Sequence, residues 1–353
     1  MLEPHPAATE GSYWFPSYVN WYGRVYMKSY IVAAIVILNC LSMAGCCIVS
    51  PVPMPTGQPK ALPPLPLYGS KAAQRPLEQQ FDMGLQQELE DKLNQYPLWR
   101  SLIKEKKMAV GLVDLSNPGG ARFARVNGDT MMYAASLPKI GICLAAFYCF
   151  QDGVLKESPQ IYNDLREMIS VSNNEAATRM IDLIGLTTIE GVLTAPQYRF
   201  YDPQKGGGLW VGARYARGGQ RIPDPLEGLS EAATVTQVCR FYYMLASGKL
   251  INPKRSQQML ALFSNPGLHD KFVSVEENLV PLKDIYRKSG QWSIYHSDSM
   301  LVWGSGWRKY ILVALVEDSQ GESVLRGLVP VVENLLYWDH CNPKSSAACV
   351  AQR

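Results

Sequence analysis

Ser136 and Lys139 stand three residues apart in Ala-Ala-Ser-Leu-Pro-Lys-Ile-Gly-Ile-Cys, a stretch that turns apolar beyond the lysine. At i, i+3 on a helix, two side chains share one face. The amine can then take the hydroxyl proton, provided that burial or another cation lowers its own pKa. A helix N-terminus beside the serine would favour the negative charge that develops there. Plainer roles exist for both, since serine is a favoured helix N-cap and lysine is most often solvated. Pro138 and the apolar residues from Ile140 to Phe147 argue instead that this turn enters the core.

Two later stretches could complete such a site. Val-Ser-Asn-Asn-Glu-Ala-Ala-Thr supplies Ser172 and Asn174, and Tyr-Arg-Lys-Ser-Gly-Gln-Trp supplies Lys288, Ser289 and Gly290. Ser172 alone could be another helix cap, but Gly290 at a strand end has no Cβ to obstruct a substrate laid along the edge. In this order and at these separations the three stretches resemble the S-x-x-K, S-D-N and K-T-G set of class A β-lactamases and the penicillin-recognising serine hydrolases. Asn173 replaces the usual Asp and Ser289 the usual Thr. The resemblance spans roughly residues 80 to 340.

The resemblance implies roles. Ser136 is the acylated nucleophile, Lys139 its proton partner, and Ser172 a relay toward the leaving nitrogen. Asn174 binds the substrate amide, while Lys288, Ser289 and Gly290 hold the substrate carboxylate and support the relay. The oxyanion hole is expected at the backbone N–H groups of Ser136 and Gln291. His296 falls nearest the position where the family places an arginine close to the substrate carboxylate, although a surface histidine is the more common explanation. One family feature has no counterpart. The Glu-x-x-Leu-Asn loop, whose glutamate activates the deacylating water, is replaced by Asp202-Pro203-Gln204-Lys205-Gly206-Gly207-Gly208, then Arg214, Arg217 and Arg221, then Asp224-Pro225-Leu226-Glu227. Asp202, Asp224 or Glu227 could substitute only through a differently folded loop; the three arginines read as solvated loop charges.

The elements that would position these residues follow from patterning. Phe81 to Ile103 is expected as a helix, Met108 to Leu115 and Ala121 to Val126 as a hairpin, and the nucleophile helix comes next. Helices are expected to dominate from Pro159 to Ser264. Leu282 to Lys288, Ser299 to Trp303 and Tyr310 to Glu317 read as strands before a closing helix from Ser323 to Tyr337. Strands at both chain ends with helices between them predict an α+β fold. Its antiparallel sheet is built from both ends around an inserted helical lobe, in agreement with the β-lactamase/transpeptidase-like architecture that the motifs imply.

Four segments are expected: 1 to 45, an N-terminal extension and lipoprotein-type signal; 46 to 78, a proline-rich tether; 79 to 340, the serine hydrolase domain; and 341 to 353, a tail. The apolar run from Ile31 to Ala44 suits a signal core better than a membrane span. It leads to Met43-Ala44-Gly45-Cys46, which resembles a bacterial lipobox with Cys46 as the lipidated residue, Met27 becoming the start; an uncleaved anchor is the alternative. Cys143, Cys149 and Cys239 read as buried thiols, and Cys341 and Cys349 could pair in an oxidising compartment.

A net charge of +3 and a hydrophobic fraction of 47% speak against a nucleic-acid binder and a disordered chain. No metal site and no cofactor are expected. The sequence thus predicts an exported monomer, held at the membrane of the cell envelope by a lipid anchor. It would act through a Ser136 ester on a β-lactam or a peptidoglycan-like amide, with deacylation in doubt. A D,D-peptidase-like or esterase activity, or a sensor that binds without turnover, are the alternatives.

Overall fold

Both faces of the central sheet are covered, and that burial explains the strand sequences. The computed structural model describes residues 62–117 and 119–341. Strands β1 (Met108–Asp114), β2 (Arg122–Val126), β8 (Ile285–Trp292), β9 (Tyr295–Trp303) and β10 (Lys309–Glu317) form the sheet in the order β2, β1, β10, β9, β8, antiparallel throughout. Along β1, Met108, Val110 and Leu112 enter one core and Ala109 and Val113 the other. Two-sided burial gives near-continuous apolar runs in place of alternation. Helix α7 (Val235–Ala246) lies close on one face, because a Cβ at Gly111 would come within 2.7 Å of Cys239 Sγ. Helix α10 (Gly321–Cys341) covers the other face, with Leu325, Leu328, Val329 and Val332 buried beneath it.

Between these halves of the sheet lies a helical lobe. Its centre is α3 (Lys139–Gln151), in which nearly every residue is buried, as expected of a helix apolar all round. Around it pack α4 (Pro159–Ser170), α5 (Asn174–Ile184), α6 (Leu186–Thr194) and α8 (Pro253–Phe263). The α+β fold with an antiparallel sheet drawn from both ends and an inserted lobe is therefore the observed one.

Several boundaries differ, each for a local reason. The helix expected from Phe81 to Ile103 is two, α1 (Met83–Asn94) and α2 (Pro97–Lys104). Pro97 has no N–H to continue α1 but suits the first turn of α2. The span from 195 to 234 holds no α-helix, only a short 3-10 turn at Pro203–Lys205. It holds short strands β4 (Tyr201–Asp202), β5 (Gly207–Gly208), β6 (Trp210–Val211) and β7 (Glu231–Ala233), the last pairing with β3 (Met132–Tyr133) just before the nucleophile turn. Strands β8 and β9 run on past the expected ends to a hairpin turn in which Ser293 adopts φ 52°.

The expected tether also needs correcting. Leu67, Ala73 and Leu77 are buried in the main core, and the Leu67 N–H donates to Ala246 O at 3.0 Å. Gln80 Oε1 accepts from the Ala121 N–H at 2.7 Å. Residues 65 to 78 are thus a packed strap of the domain, whose boundary lies earlier than 79. The prolines here break helix and sheet but leave leucines free to dock. The signal run, Cys46, the tether through residue 61 and the tail beyond Cys341 lie outside the described residues. Cys143, Cys149 and Cys239 are buried free thiols.

Beneath α10 sits an acid pair. Glu276 of α9 (Val273–Glu276) is fully buried and accepts from the Tyr310 hydroxyl at 2.8 Å; Glu333 of α10 accepts from Arg308 Nε at 2.9 Å. The Oε1 atom of each has no hydrogen-bond partner among the described residues. Burial and the charge of Glu333 push Glu276 up to about 7. A folded pKa raised above the unfolded value means stability that is full below about 4.5 and lost as pH rises through about 7. Glu276→Gln, which stays neutral, is expected to gain on the wild type as pH rises, by about 3 °C or more in Tm at pH 8 relative to pH 5. Thermal unfolding of both proteins at the two pH values checks this; a constant difference would refute it.

Candidate active site

Ser136 lies in the turn that carries the chain from β3 into α3, three residues before the helix expected to hold it. Lys139 is the first helical residue. Ala135 is held at φ 49° and Ser172 at φ 60°. Left-handed non-glycine residues cost of order 1–3 kcal/mol and persist where surrounding structure holds them. Both flank the residues with chemistry.

Lys139 is fully buried. Its Nζ donates to Ser172 O and Asn174 Oδ1, each at 2.7 Å, and lies 4.4 Å from the centre of the Tyr215 ring. Burial pushes its pKa down to about 7, against a smaller upward pull from Glu231. A neutral amine is then well populated near pH 7. No hydrogen bond joins Nζ to Ser136 Oγ among the described residues; catalytic hydrogen bonds often tighten only when substrate is in place.

Ser172 and Lys288 meet directly. Lys288 Nζ donates to Ser172 Oγ at 2.8 Å and to Ser289 O. Lys288 is 1% exposed, and burial followed by the charge of Lys139 holds its pKa well below the ordinary lysine value. Asn173, where an Asp is usual, caps α5: its Oδ1 accepts from the Ala176 N–H at 3.0 Å, a task that either residue performs. Asn174 reaches Lys139 from the first position of that helix.

Edge strand β8 closes the site. A Cβ at Gly290 would stand 2.4 Å from Ala134 O and 2.6 Å from the Ser136 N, so only glycine allows this approach. Ser136, Ser172, Asn174, Ser289, Gly290 and Gln291 line one cleft of about 240 Å³, together with Leu268, Asp270 and Lys271. Lys271 was not anticipated. It is 1% exposed and donates from Nζ to Gly290 O at 2.6 Å.

His296 does not join them. It pairs across the hairpin with Gln291, whereas Lys288 and Gly290 pair with Ser299 and Ser297. Strand alternation therefore turns its ring to the other face, where it packs against Gly321 with Nδ1 buried and unpartnered. Three other candidates are structural or peripheral. The Asp224 carboxylate accepts from Tyr201 Oη and from the N–H groups of Leu226, Glu227 and Leu229. Asp202 caps the turn at Gln204, and Glu227 is exposed. Arg214 pairs with Asp182, and Arg221 donates to Ser230 Oγ and Gly228 O.

Sequence reasoning passed over a buried acid whose backbone carbonyl, at Glu231 O, accepts from the Ala134 N–H at 2.9 Å, two residues before the nucleophile. Glu231, on β7, is 8% exposed and its side chain makes no hydrogen bond or ion pair with any described residue. Burial pushes it up to about 7, against the pull of Arg221 and Lys139. The same carboxylate acts on Tyr133 and Tyr215. Its one sequence signal was an acid set directly before the apolar pair Ala232-Ala233.

Comparison with known proteins agrees with the fold. A model of the beta-lactamase enzyme family matches residues 158–328, a stretch that holds Ser172, Asn174, Lys288 and Ser289 but begins after Ser136 and Lys139. No curated protein matches the chain. Among solved structures, the class A β-lactamase from Bacteroides cellulosilyticus aligns with a TM-score of 0.52 at 16% identity, covering 72% of this chain and 99% of its own. The β-lactamase from Sphaerobacter thermophilus gives 0.51 at 16%, over 71% and 97%. PBP-A gives 0.52 at 16%, over 78% and 99%.

The pKa of Lys139 makes a rate prediction. If its neutral form accepts the Ser136 proton, modification of Ser136 by an activated acyl reagent should rise about tenfold per pH unit below about 7 and level off above it. A pH series of second-order labelling rates, read by intact mass, tests this. A flat profile from pH 5 to pH 8 would exclude Lys139 as the base.

Proposed function

We propose that this chain, β-lactamase-like in fold and in its matched stretch, is a serine hydrolase that acylates Ser136 with a β-lactam or a related cell-wall amide. The observation that supports the reading is that Ser136 and Ser172 line one cleft while buried Lys139 and Lys288 both hydrogen-bond to Ser172 behind it. Ser136 Oγ attacks the carbonyl carbon as its proton passes to Lys139. The N–H groups of Ser136 and Gln291 hold the developing oxyanion. Ser172, polarised by Lys288, delivers a proton to the departing nitrogen, and the C–N bond breaks.

Acylation has its full set of groups, whereas none of Asp202, Asp224 and Glu227 lines the cleft. The expected result with a fluorescent penicillin is one label per chain in a fast burst, followed by turnover slower than acylation. Ser136→Ala should remove the label. An unlabelled wild type, or undiminished label on Ser136→Ala, would end this reading. A sensor without turnover is the second reading, favoured by the same missing loop; many turnovers on a β-lactam or peptide panel would reject it.

Export on a lipid anchor completes the proposal, resting on the run from Ile31 to Ala44 and the Cys46 signal. Cys46→Ser should abolish labelling by a fatty-acid probe and leave an unprocessed precursor, while Cys47→Ser should do neither. Equal labelling of the Cys46 variant would refute the anchor.

A further inference from the structure

We propose that Lys271 is a positioning residue for acylation: by bonding to the Gly290 carbonyl, its amine aims and polarises the peptide whose N–H, on Gln291, receives the oxyanion. The inference rests on the acyl-enzyme reading above and concerns how fast the ester forms.

The sheet sets the geometry. Strand β8 is the end strand, with β9 on its inner side, and Gly290 pairs across to Ser297 of β9. Lys271 Nζ donates to Gly290 O at 2.6 Å and, more weakly, to Ser297 O at 3.4 Å. One amine reaches the carbonyls of two paired residues where both point into the space between the strands, as they do in a hydrogen-bonded antiparallel pair. In a planar trans peptide the C=O and the N–H that follows it point in opposite directions. The Gly290 carbonyl therefore faces β9 and the Gln291 N–H faces the outer edge, where Gln291 lines the cleft with Ser136. A Cβ at Gly290 would stand 2.6 Å from the Ser136 N, so the two donors assigned to the oxyanion are neighbours. Lys271 holds one of them from behind.

The loop that delivers this amine is built to do so. Lys271 is held at φ 49°, a conformation that persists in a non-glycine residue where the surrounding structure imposes it. The residues on either side supply that structure. Asp270 Oδ1 accepts from Arg287 Nη2 at 2.6 Å, and the Phe272 N–H donates to Asp298 Oδ2 at 3.1 Å. Arg287 lies on β8 and Asp298 on β9, so the two strands that carry the carbonyls also clamp the loop. The lysine is 1% exposed and still borders the cleft.

Two effects follow for the oxyanion. A donor on an amide carbonyl draws electron density toward the oxygen and makes the N–H at the other end a stronger donor, since hydrogen bonds in a chain polarise one another. It also fixes the peptide plane, so the N–H is aimed before charge develops and needs no reorganisation when it does.

The test uses the full chain. Lys271→Met keeps the length and apolar stem of the side chain and removes its donor. Acylation is followed with a fluorescent penicillin and with a neutral activated ester that has no carboxylate. Outright removal of an oxyanion donor costs on the order of 10²–10³ in rate. Loss of the group behind that donor should cost less, about tenfold in the acylation rate constant with either reagent, while the apparent Kd for penicillin stays within about twofold. In the acylated variant the ester carbonyl stretch, read by infrared difference with an isotope-labelled penicillin, should move to higher frequency, because a weaker donor leaves more double-bond character. Thermal unfolding confirms that the variant is folded; should Lys271→Met not fold, Lys271→Leu removes the same donor in a smaller volume. An unchanged acylation rate or an unmoved carbonyl band would each overturn the proposal. So would a loss confined to the carboxylate-bearing reagent, which would make the amine a ligand of the substrate. A wild type that never labels would instead defeat the acyl-enzyme reading, so the two failures are distinguishable.

Discussion

Three lysine side chains, Lys139, Lys271 and Lys288, are buried to 0–1% exposure around one cleft, and the site is built to bear them. Burying a charged amine costs several kcal/mol unless hydrogen bonds replace its water. The replacement comes from oxygens of other kinds. Lys139 has the Ser172 carbonyl and the Asn174 amide, Lys288 has the Ser172 hydroxyl and the Ser289 carbonyl, and Lys271 has the Gly290 carbonyl. No carboxylate forms an ion pair with any of the three among the described residues. Dipoles solvate an ammonium less well than a carboxylate pair does, so the neutral amine gains. The left-handed Ser172, the amide at the start of α5 and the close-set edge of β8 can all be understood as ways of bringing those oxygens into place.

One residue earlier on β8 the solution is the opposite. Arg287 is 2% exposed and donates from Nε and Nη2 to both oxygens of the fully buried Asp298, at 2.8 and 2.7 Å, and from Nη2 to Asp270 Oδ1 at 2.6 Å. Arg287 Nη1 also donates to Leu268 O, and Asp298 accepts from the Phe272 N–H. This network fixes the segment from Leu268 to Phe272 that forms one wall of the cleft. Alternation along a strand thus separates a fully paired charge, which serves rigidity, from an amine left without a counterion, which serves chemistry. Taking away one partner of such a buried set would leave an uncompensated charge.

The parts of this arrangement legible in the sequence are those encoded by short spacing. Ser136 with Lys139, Ser172 with Asn174, and Lys288 with Gly290 are each set by one turn or one strand end, and their order along the chain implied the fold. Glu231 and Tyr215 escaped for a different reason. Both lie between α6 and α7, where turns and strands of two or three residues are too short to show period 3.6 or period 2. His296 was misplaced by parity, since one residue along a strand reverses the face. The strap from 65 to 78 was hidden by its prolines, which signal an extended chain and say nothing of whether three side chains dock.

The sheet drawn from both chain ends carries a consequence for the order of assembly. Met108 pairs with Val316, and Lys288 meets Ser172, so the strands flanking the lobe come together only after the whole chain is available. Closing so long a loop is paid in chain entropy before any contact returns it, which makes late, slow association of the C-terminal strands the expected route. Until β8 seats beside Ala134, Lys288 has no Ser172 hydroxyl to meet, so the cleft takes shape only in the fully assembled domain.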